Sequence, residues 1–325
     1  MVKVLVLGAT GYIGSAVSAS LNRSGDHTVY GLARSPQKAT QLSKQEILPV
    51  SGSVTNSAAY VALIKSEHID VVVDCSGANN ESHTILEDLI KIGQERLQTY
   101  KQAGIKGPKL GFVYTSGTWV HGSSYERTSD LEPVGNSLAK AQPPRMVQWR
   151  PKLEQAVLAA SDVLDTMIVR PALVYGRQHA IWTSVFGPIL EAAKAGKTEP
   201  VRLPLNPHGM SGLIHVDDVA AGIHAAVDKL PLICGTSVYP VFDFVGSKES
   251  MRDITEAAAR VFGFRGTIEL VGPGDDRFGE AIGTSFNGNA GRARQLLGWS
   301  AKKVGFVPDM DVYANAFAAV YGSKL

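Results

Sequence analysis

The stretch Gly8-Ala9-Thr10-Gly11-Tyr12-Ile13-Gly14 constrains this chain more than any other. It follows directly on an apolar, β-type run over residues 2–7 and opens a helix-periodic segment over 12–23. In that strand–turn–helix setting each glycine has a steric role. Gly8 permits the tight turn, Gly11 lets the backbone approach a pyrophosphate, and Gly14 lets the helix lie close on the sheet. The free N–H groups of the first helical turn, with the helix dipole behind them, then face the phosphates. Gly8, Thr10, Gly11, Tyr12, Ile13 and Gly14 are therefore the expected contacts to a dinucleotide.

The rest of the first half repeats the same alternation. Residues 28–33, 47–50, 71–74, 110–115 and 166–170 read as strands, and 37–44, 58–67, 82–103 and 145–160 as helices. Strands that are nearly unbroken runs of apolar residues, alternating with helices, imply a parallel sheet covered on both faces. With the glycine loop, this predicts an α/β fold built on a doubly wound Rossmann sheet. After Arg170 the regularity gives way to scattered prolines (Pro171, Pro188, Pro200, Pro204, Pro207), where substrate-binding elements are expected. Helical patterns return at 216–229, 250–262 and 309–321, and a strand-like run at 241–245. Glycine makes up 33 of the 325 residues, against a usual share of about 7%, which suits many tight strand-to-helix turns.

The second strand ends in Tyr30-Gly31-Leu32-Ala33-Arg34. Sites for NAD usually carry an acid there to accept from the ribose 2′-hydroxyl, and none is present. Arg34 offers a fork of donors matched to a phosphate, Ser35-Pro36 reads as an N-cap with the first helical residue, and Lys38 adds a cation one turn on. The expected cofactor is NADP(H). Ser76 and Pro171 complete the expected cofactor contacts.

Composition narrows the alternatives. With 32 Lys+Arg against 30 Asp+Glu the net charge is +2, which excludes electrostatic nucleic-acid binding as the main function. The two cysteines, Cys75 and Cys234, are far apart, so neither a disulfide framework nor a metal-ligand spacing is present and no metal is expected. No signal-peptide pattern and no apolar run of about 18 residues occurs. A cytoplasmic protein that engages neither membrane nor nucleic acid is expected, with a small-molecule substrate as its partner and a homodimer left open.

Three further stretches, with the glycine loop, resemble the extended short-chain dehydrogenase/reductase family, the NAD(P)-dependent epimerase/dehydratase-like branch. They are Phe112-Val113-Tyr114-Thr115-Ser116-Gly117-Thr118-Trp119-Val120-His121-Gly122, then Arg170-Pro171-Ala172-Leu173-Val174-Tyr175-Gly176, then Ile214-His215-Val216-Asp217-Asp218-Val219-Ala220. Residues 293–299 look like the family's C-terminal segment. The resemblance implies a helix starting at Asp217-Asp218, a seventh strand near 241–245, a cofactor domain of 1–171 plus 212–246, and a smaller C-terminal substrate lobe of 172–211 plus 247–325. It also implies that His215 and the two aspartates are structural.

The chain departs from that family where the chemistry lies. The family uses a Tyr-x-x-x-Lys pair on the helix after the fifth strand, and the matching segment here is Gln148-Trp149-Arg150-Pro151-Lys152. Lys152 is expected to hold the nicotinamide ribose. Gln148 stands in the tyrosine's place, and an amide exchanges no proton near neutral pH. The family's Ser/Thr position falls on Gly117, flanked by Ser116 and Thr118. Because a positioned acid is worth about 10²–10⁴ in rate, surrogates are sought: Tyr125 in the following loop, His121, the hydroxyls of Ser116 and Thr118, or Lys152 itself. Nucleotide-sugar enzymes of the family carry Arg-Asp before the Ile-His-Val stretch, where this chain has Ser211-Gly212. The segment 177–207, with Trp182, Val185, Phe186, Ile189 and Leu190, suits a neutral, mostly apolar substrate. Ser116 is not framed by the Gly-x-Ser-x-Gly elbow of a hydrolase. The expected function is an NADP(H)-dependent oxidoreductase acting on a small, mostly apolar carbonyl or alcohol through a non-tyrosine proton relay. The alternatives are a catalytically silent NADP(H) sensor and a non-redox isomerase, lyase or cyclase on the same fold.

Overall fold

The computed structural model describes residues 1–77, 81–177 and 180–322. The first half alternates β1 (Val2–Leu7), α1 (Tyr12–Ser24), β2 (His27–Ala33), α2 (Pro36–Ser43), β3 (Leu48–Ser51), α3 (Ala58–Ser66), β4 (Val71–Asp74), α4 (Ser82–Gln102) and β5 (Leu110–Thr115). A long connection containing the two-residue β6 (Arg127–Thr128) leads to α5 (Arg150–Ala159) and β7 (Leu164–Pro171). Next come β8 (Leu173–Tyr175), α6 (Thr183–Lys194), β9 (Val201–Leu203), β10 (Met210–His215), α7 (Val216–Ile233) and β11 (Val241–Phe244). The remainder holds β12 (Ser247–Ser250), α8 (Met251–Phe262), β13 (Ile268–Leu270), α9 (Arg277–Ile282), β14 (Asn287–Gly288) and α10 (Met310–Tyr321).

Seven strands form one parallel sheet in the order β11-β7-β5-β4-β1-β2-β3. Its two faces follow from the two-residue period of a strand. Val4 and Val6 of β1 pack with Val17 and Leu21 of α1 and with Val219 and Ile223 of α7. Leu5 and Leu7 point the other way, toward Tyr60 of α3, Leu89 of α4 and Leu153 of α5. Both faces are dry, which is why the central strands are apolar without interruption.

The second lobe is built on a three-stranded sheet of order β12-β10-β8, wrapped by α6, α8 and α10. Trp182, Val185, Phe186, Ile189 and Leu190 are all buried in its core, and the Trp182 Nε1–H donates to the Val174 carbonyl at 3.0 Å. The apolar segment is thus packing inside the lobe, and the sequence argument from it to an apolar substrate falls away. Two boundaries also shift from expectation. Residues 212–215 belong to β10 of the small sheet. Conversely Ala290, Ala293, Leu297 and Trp299 pack into the core of the large one. Trp299 is held there because its ring meets Phe244 at 4.6 Å while its N–H finds the Asp218 carbonyl at 3.0 Å.

Element ends agree with the sequence reading within a residue or two, with two exceptions, one being α7, expected to end at 229 but running on to Ile233. The helix expected over 145–160 begins at Arg150, after a short 3₁₀ turn over Arg145–Val147. Pro151 lacks an N–H and crowds the carbonyl four residues back, so it is accommodated in a first turn and not in a helix interior.

Candidate active site

The order of the large sheet reverses between β1 and β4, and ligands of such sheets bind at the carboxyl ends of the strands beside that point. There Gly8 has φ +79°, and a Cβ on it would stand 2.6 Å from the Cys75 carbonyl oxygen. A Cβ on Gly14 would collide with the Gly8 carbonyl. Gly11 donates to that carbonyl at 2.8 Å and serves as N-cap of α1 without any capping side chain, so the first-turn N–H groups are left for a ligand. Asp74, buried at the end of β4, accepts from both the N–H and the hydroxyl of Ser76, at 2.9 and 2.6 Å. That pins Ser76 against the same crevice, which is also lined by Gly8, Thr10, Arg34 and Lys38.

The side chains of Tyr12 and Ile13 serve packing. The Tyr12 hydroxyl donates to the Gly176 carbonyl at 2.6 Å, and Ile13 lies half-buried against the core. At the end of β2, Arg34 is exposed, Ser35 caps α2 by accepting from the Lys38 N–H, and Lys38 Nζ donates to Thr10 Oγ1 at 3.0 Å. Two cations therefore flank the crevice beyond β2.

At the far end of the crevice the chain leaves β5. Ser116 donates its N–H to the Val169 carbonyl at 2.8 Å, while its hydroxyl is buried without a partner among the described residues. Thr118 is buried beside it. Between them, a Cβ on Gly117 would lie 3.0 Å from Arg150 Nη1 and 3.6 Å from the carbonyl of buried Pro171. Arg150 is largely enclosed, its Nε has no hydrogen-bond partner among the described residues, and its guanidinium stands 5.5 Å above the Trp149 ring. Burial pushes its pKa down from the ordinary value, opposed by Tyr114 and Glu154. Glu154 is committed elsewhere, taking Arg170 Nε at 3.0 Å and Nη2 at 2.5 Å in a fully buried pair.

This arrangement corrects the sequence reading of α5. Lys152 lies exposed on the outer face and Gln148 lies exposed just before the helix, while Leu153, Glu154 and Val157 face inward with Arg150. Positions 150, 153, 154 and 157 share a helix face, so the cation beside Gly117 is Arg150, which the sequence reading missed. The only hint in the sequence is a charged pair, Arg150 and Glu154, spaced to share the helix face that carries Leu153 and Val157. The residue four before Arg150 is Met146, so neither register supplies a tyrosine, and none occurs between Tyr125 and Tyr175.

Two proposed surrogates are engaged by other partners. His121 is buried with Nε2 at 2.8 Å from Asp243 Oδ2 and its ring stacked on Phe286, inside the ion network formed with Arg170. Tyr125 is exposed, and its hydroxyl donates to the His208 carbonyl at 2.9 Å. Ser116, Thr118, Pro171 and Arg150 are what the fold brings together.

The His215-Asp217-Asp218 group is tied into the frame. His215 Nδ1 accepts from the Asp217 N–H at 3.1 Å as N-cap of α7. Burial holds its pKa down at about 4, with help from Lys303. Asp217 pairs with Arg177 and Lys303, which outweigh its burial and take its carboxyl down to about 2. Asp218 accepts from the N–H groups of Lys302 and Lys303.

A doubly wound sheet, a glycine turn at its switch point and an uncapped helix aimed at a cation-flanked crevice define a dinucleotide-binding α/β protein. Its sequence places it further: the chain belongs to the NAD-dependent epimerase/dehydratase family, whose model matches residues 4–233, and so is of the extended short-chain dehydrogenase/reductase type. Among solved structures it is similar to a dTDP-glucose 4,6-dehydratase from Bacillus anthracis in complex with NAD. That pair shares 18% identity at a TM-score of 0.69, over 98% of this chain and 97% of that one. A UDP-glucuronic acid 4-epimerase from Bacillus cereus with NAD gives 17% and 0.66 over 98% of both chains. A UDP-glucose-4-epimerase from Stenotrophomonas maltophila, with NAD and formylated UDP-arabinopyranose, gives 19% and 0.67 over 100% and 99%. These likenesses establish the fold. No curated protein matches the sequence. No helix of the described residues is long and apolar enough to cross a membrane.

Proposed function

We propose that the protein is an NADP(H)-dependent oxidoreductase that exchanges hydride with a small carbonyl or alcohol and uses no tyrosine as its acid. The observation that carries the cofactor reading is the corner after β2, where Arg34 and Lys38 stand without a carboxylate and Ser35 opens α2. The cradle fits such a group, because Gly8 and Gly14, where a Cβ would strike backbone, let the turn close tightly on the sheet, and Gly11 caps α1 with no side chain over its first-turn N–H groups. The first turn of α1 would hold the diphosphate, and Arg34 with Lys38 the 2′-phosphate. When bound, the nicotinamide supplies or accepts the hydride.

Arg150 then has a defined task. A guanidinium stays charged and donates only, so it stabilises negative charge on a substrate oxygen beside Gly117 but supplies no proton. Proton traffic falls to the hydroxyls of Ser116 and Thr118. The three similar structures are all named as enzymes of nucleotide sugars, and one of them holds formylated UDP-arabinopyranose, yet this chain has Ser211 and Gly212 where the resemblance places Arg-Asp in such enzymes, and Ser211 is spent on the carbonyls of Ile282 and Thr284.

Calorimetry tests the cofactor half. NADPH should bind more tightly than NADH, since charge-assisted hydrogen bonds contribute about 1.5–3 kcal/mol, and Arg34→Ala should erase most of the difference. Equal affinities in the native protein would refute NADP(H) selectivity. A panel of carbonyl compounds, followed by loss of nicotinamide absorbance, tests the reaction. Tight NADPH binding with no consumption would leave a cofactor-binding regulator in place of the enzyme.

A further inference from the structure

We propose that His27, His224 and Asp228 form a metal site of the zinc type at the N-terminal edge of the large sheet, on the opposite edge from the cofactor crevice. His27 opens β2 with its side chain buried, while His224 and Asp228 stand one turn apart on α7. Their ligand atoms converge. His27 Nε2 lies 3.3 Å from His224 Nε2 and 3.1 Å from Asp228 Oδ1, and His224 Nε2 lies 3.6 Å from Asp228 Oδ2. A tetrahedral ion with ligand bonds of about 2.0–2.1 Å spaces its ligand atoms about 3.3–3.4 Å apart. The two imidazole nitrogens already stand at that spacing, each has a different oxygen of Asp228 nearby, and one ligand atom from each of the three residues lies within 4.8 Å of the other two, so a small turn of the carboxylate completes the triangle.

The donor set indicates the ion. Two imidazole nitrogens and one carboxylate, with a fourth position left to water, suit zinc, and by the same donors cobalt or nickel, whereas magnesium and calcium want oxygen. Ser20 Oγ lies 3.1 Å from His224 Nδ1. With Nδ1–H donating a hydrogen bond to that hydroxyl, Nε2 keeps its lone pair for the ion, the usual outer support of a ligating histidine. Asp26 adds a negative charge that acts on His224. The weak point of the site is His27 Nδ1, which is buried without a partner among the described residues. A ligating histidine without that support typically loses 10–100-fold in affinity, so micromolar binding is expected and not the tighter range of closed structural sites. Bound there, the ion would join the start of β2 to α7. The partners are 197 residues apart, which is why no spacing in the sequence announces them.

The full chain, freed of any affinity tag and stripped with a chelator, should take up one equivalent of zinc with micromolar affinity in calorimetry. Its melting temperature should rise with zinc and not with magnesium, by mass action on the folded state. Cobalt should give the visible absorption of a four-coordinate ion. His224→Gln and Asp228→Asn, at the less buried positions, should each weaken zinc binding at least tenfold while the metal-free proteins still melt cooperatively. His27→Gln should do the same where it folds. No uptake of zinc by the native chain, or uptake undiminished in both His224→Gln and Asp228→Asn, would overturn the site. Because NADPH binds elsewhere, its affinity should be unchanged in both variants, which separates this test from that of the proposed reaction.

Discussion

Arg150 and Lys152 are two residues apart on one helix and face nearly opposite ways, one beside Gly117 and one in solvent. A motif match by spacing alone favours the lysine, because the inward face of α5 is decided by a partner outside the motif, Arg170, which draws Glu154 in. The difference can be measured. Arg150→Ala should lower kcat/KM by about 10²–10³ if its guanidinium stabilises a developing oxyanion, and Lys152→Ala should leave cofactor affinity as it is. The reverse pattern would restore Lys152 to the site. Beneath them, Glu154→Ala strands Arg170 in the core and should cost about 3–5 kcal/mol in chemical denaturation. Replacing both partners with apolar residues should cost less than that single change; a larger loss would mean that the pair contributes net stability. The hydroxyls of Ser116 and Thr118 were readable because a strand end follows from local pattern. For His121, one of several surrogate acids the sequence offers, the buried partner Asp243 lies 122 residues further on and leaves no local signal.

Elements were most legible where their ends are fixed by neighbours in sequence. Ser35-Pro36 announces the start of α2, and the glycine turn announces α1, since capping and turn chemistry are local. The start of α7 is local too, yet its capping group is unusual. His215 accepts from the Asp217 N–H only while Nδ1 is unprotonated. Its pKa is about 6.5 in an unfolded chain and about 4 in place, so folding expels a proton between those values. Its contribution is complete above pH ~6.5 and is lost as pH falls toward ~4, with a slope of at most about 1.4 kcal/mol per pH unit. His215→Asn keeps an acceptor for the cap and should flatten the fall in unfolding free energy over that window. Identical slopes in the two proteins would show that the histidine does not titrate with folding.

Across the whole molecule, the sheet and its order were within reach of the sequence because each βα unit is contiguous. The lobe was not, because strands of three residues and rings such as Trp182 and Phe306 carry no periodicity that separates a core from a pocket wall. The lobe is also joined to the sheet at several points along the chain. The chain passes from one to the other at Ala172, between β7 and β8. It passes again directly from β10 into α7, and once more through Val245 and Gly246 between β11 and β12. A further pass follows β14, where Ala290, Ala293, Leu297 and Trp299 return to the core of the large sheet before α10 closes the lobe, so a rotation of one half on the other would have to bend several separate connections at once. A crevice laced in this way should keep its width when cofactor binds, and small-angle scattering should give the same radius of gyration with and without NADPH. A fixed gap sorts molecules as a gauge does: along a homologous series of substrates, acceptance should end abruptly at one length, where a cleft that closes on its contents would let it decline step by step.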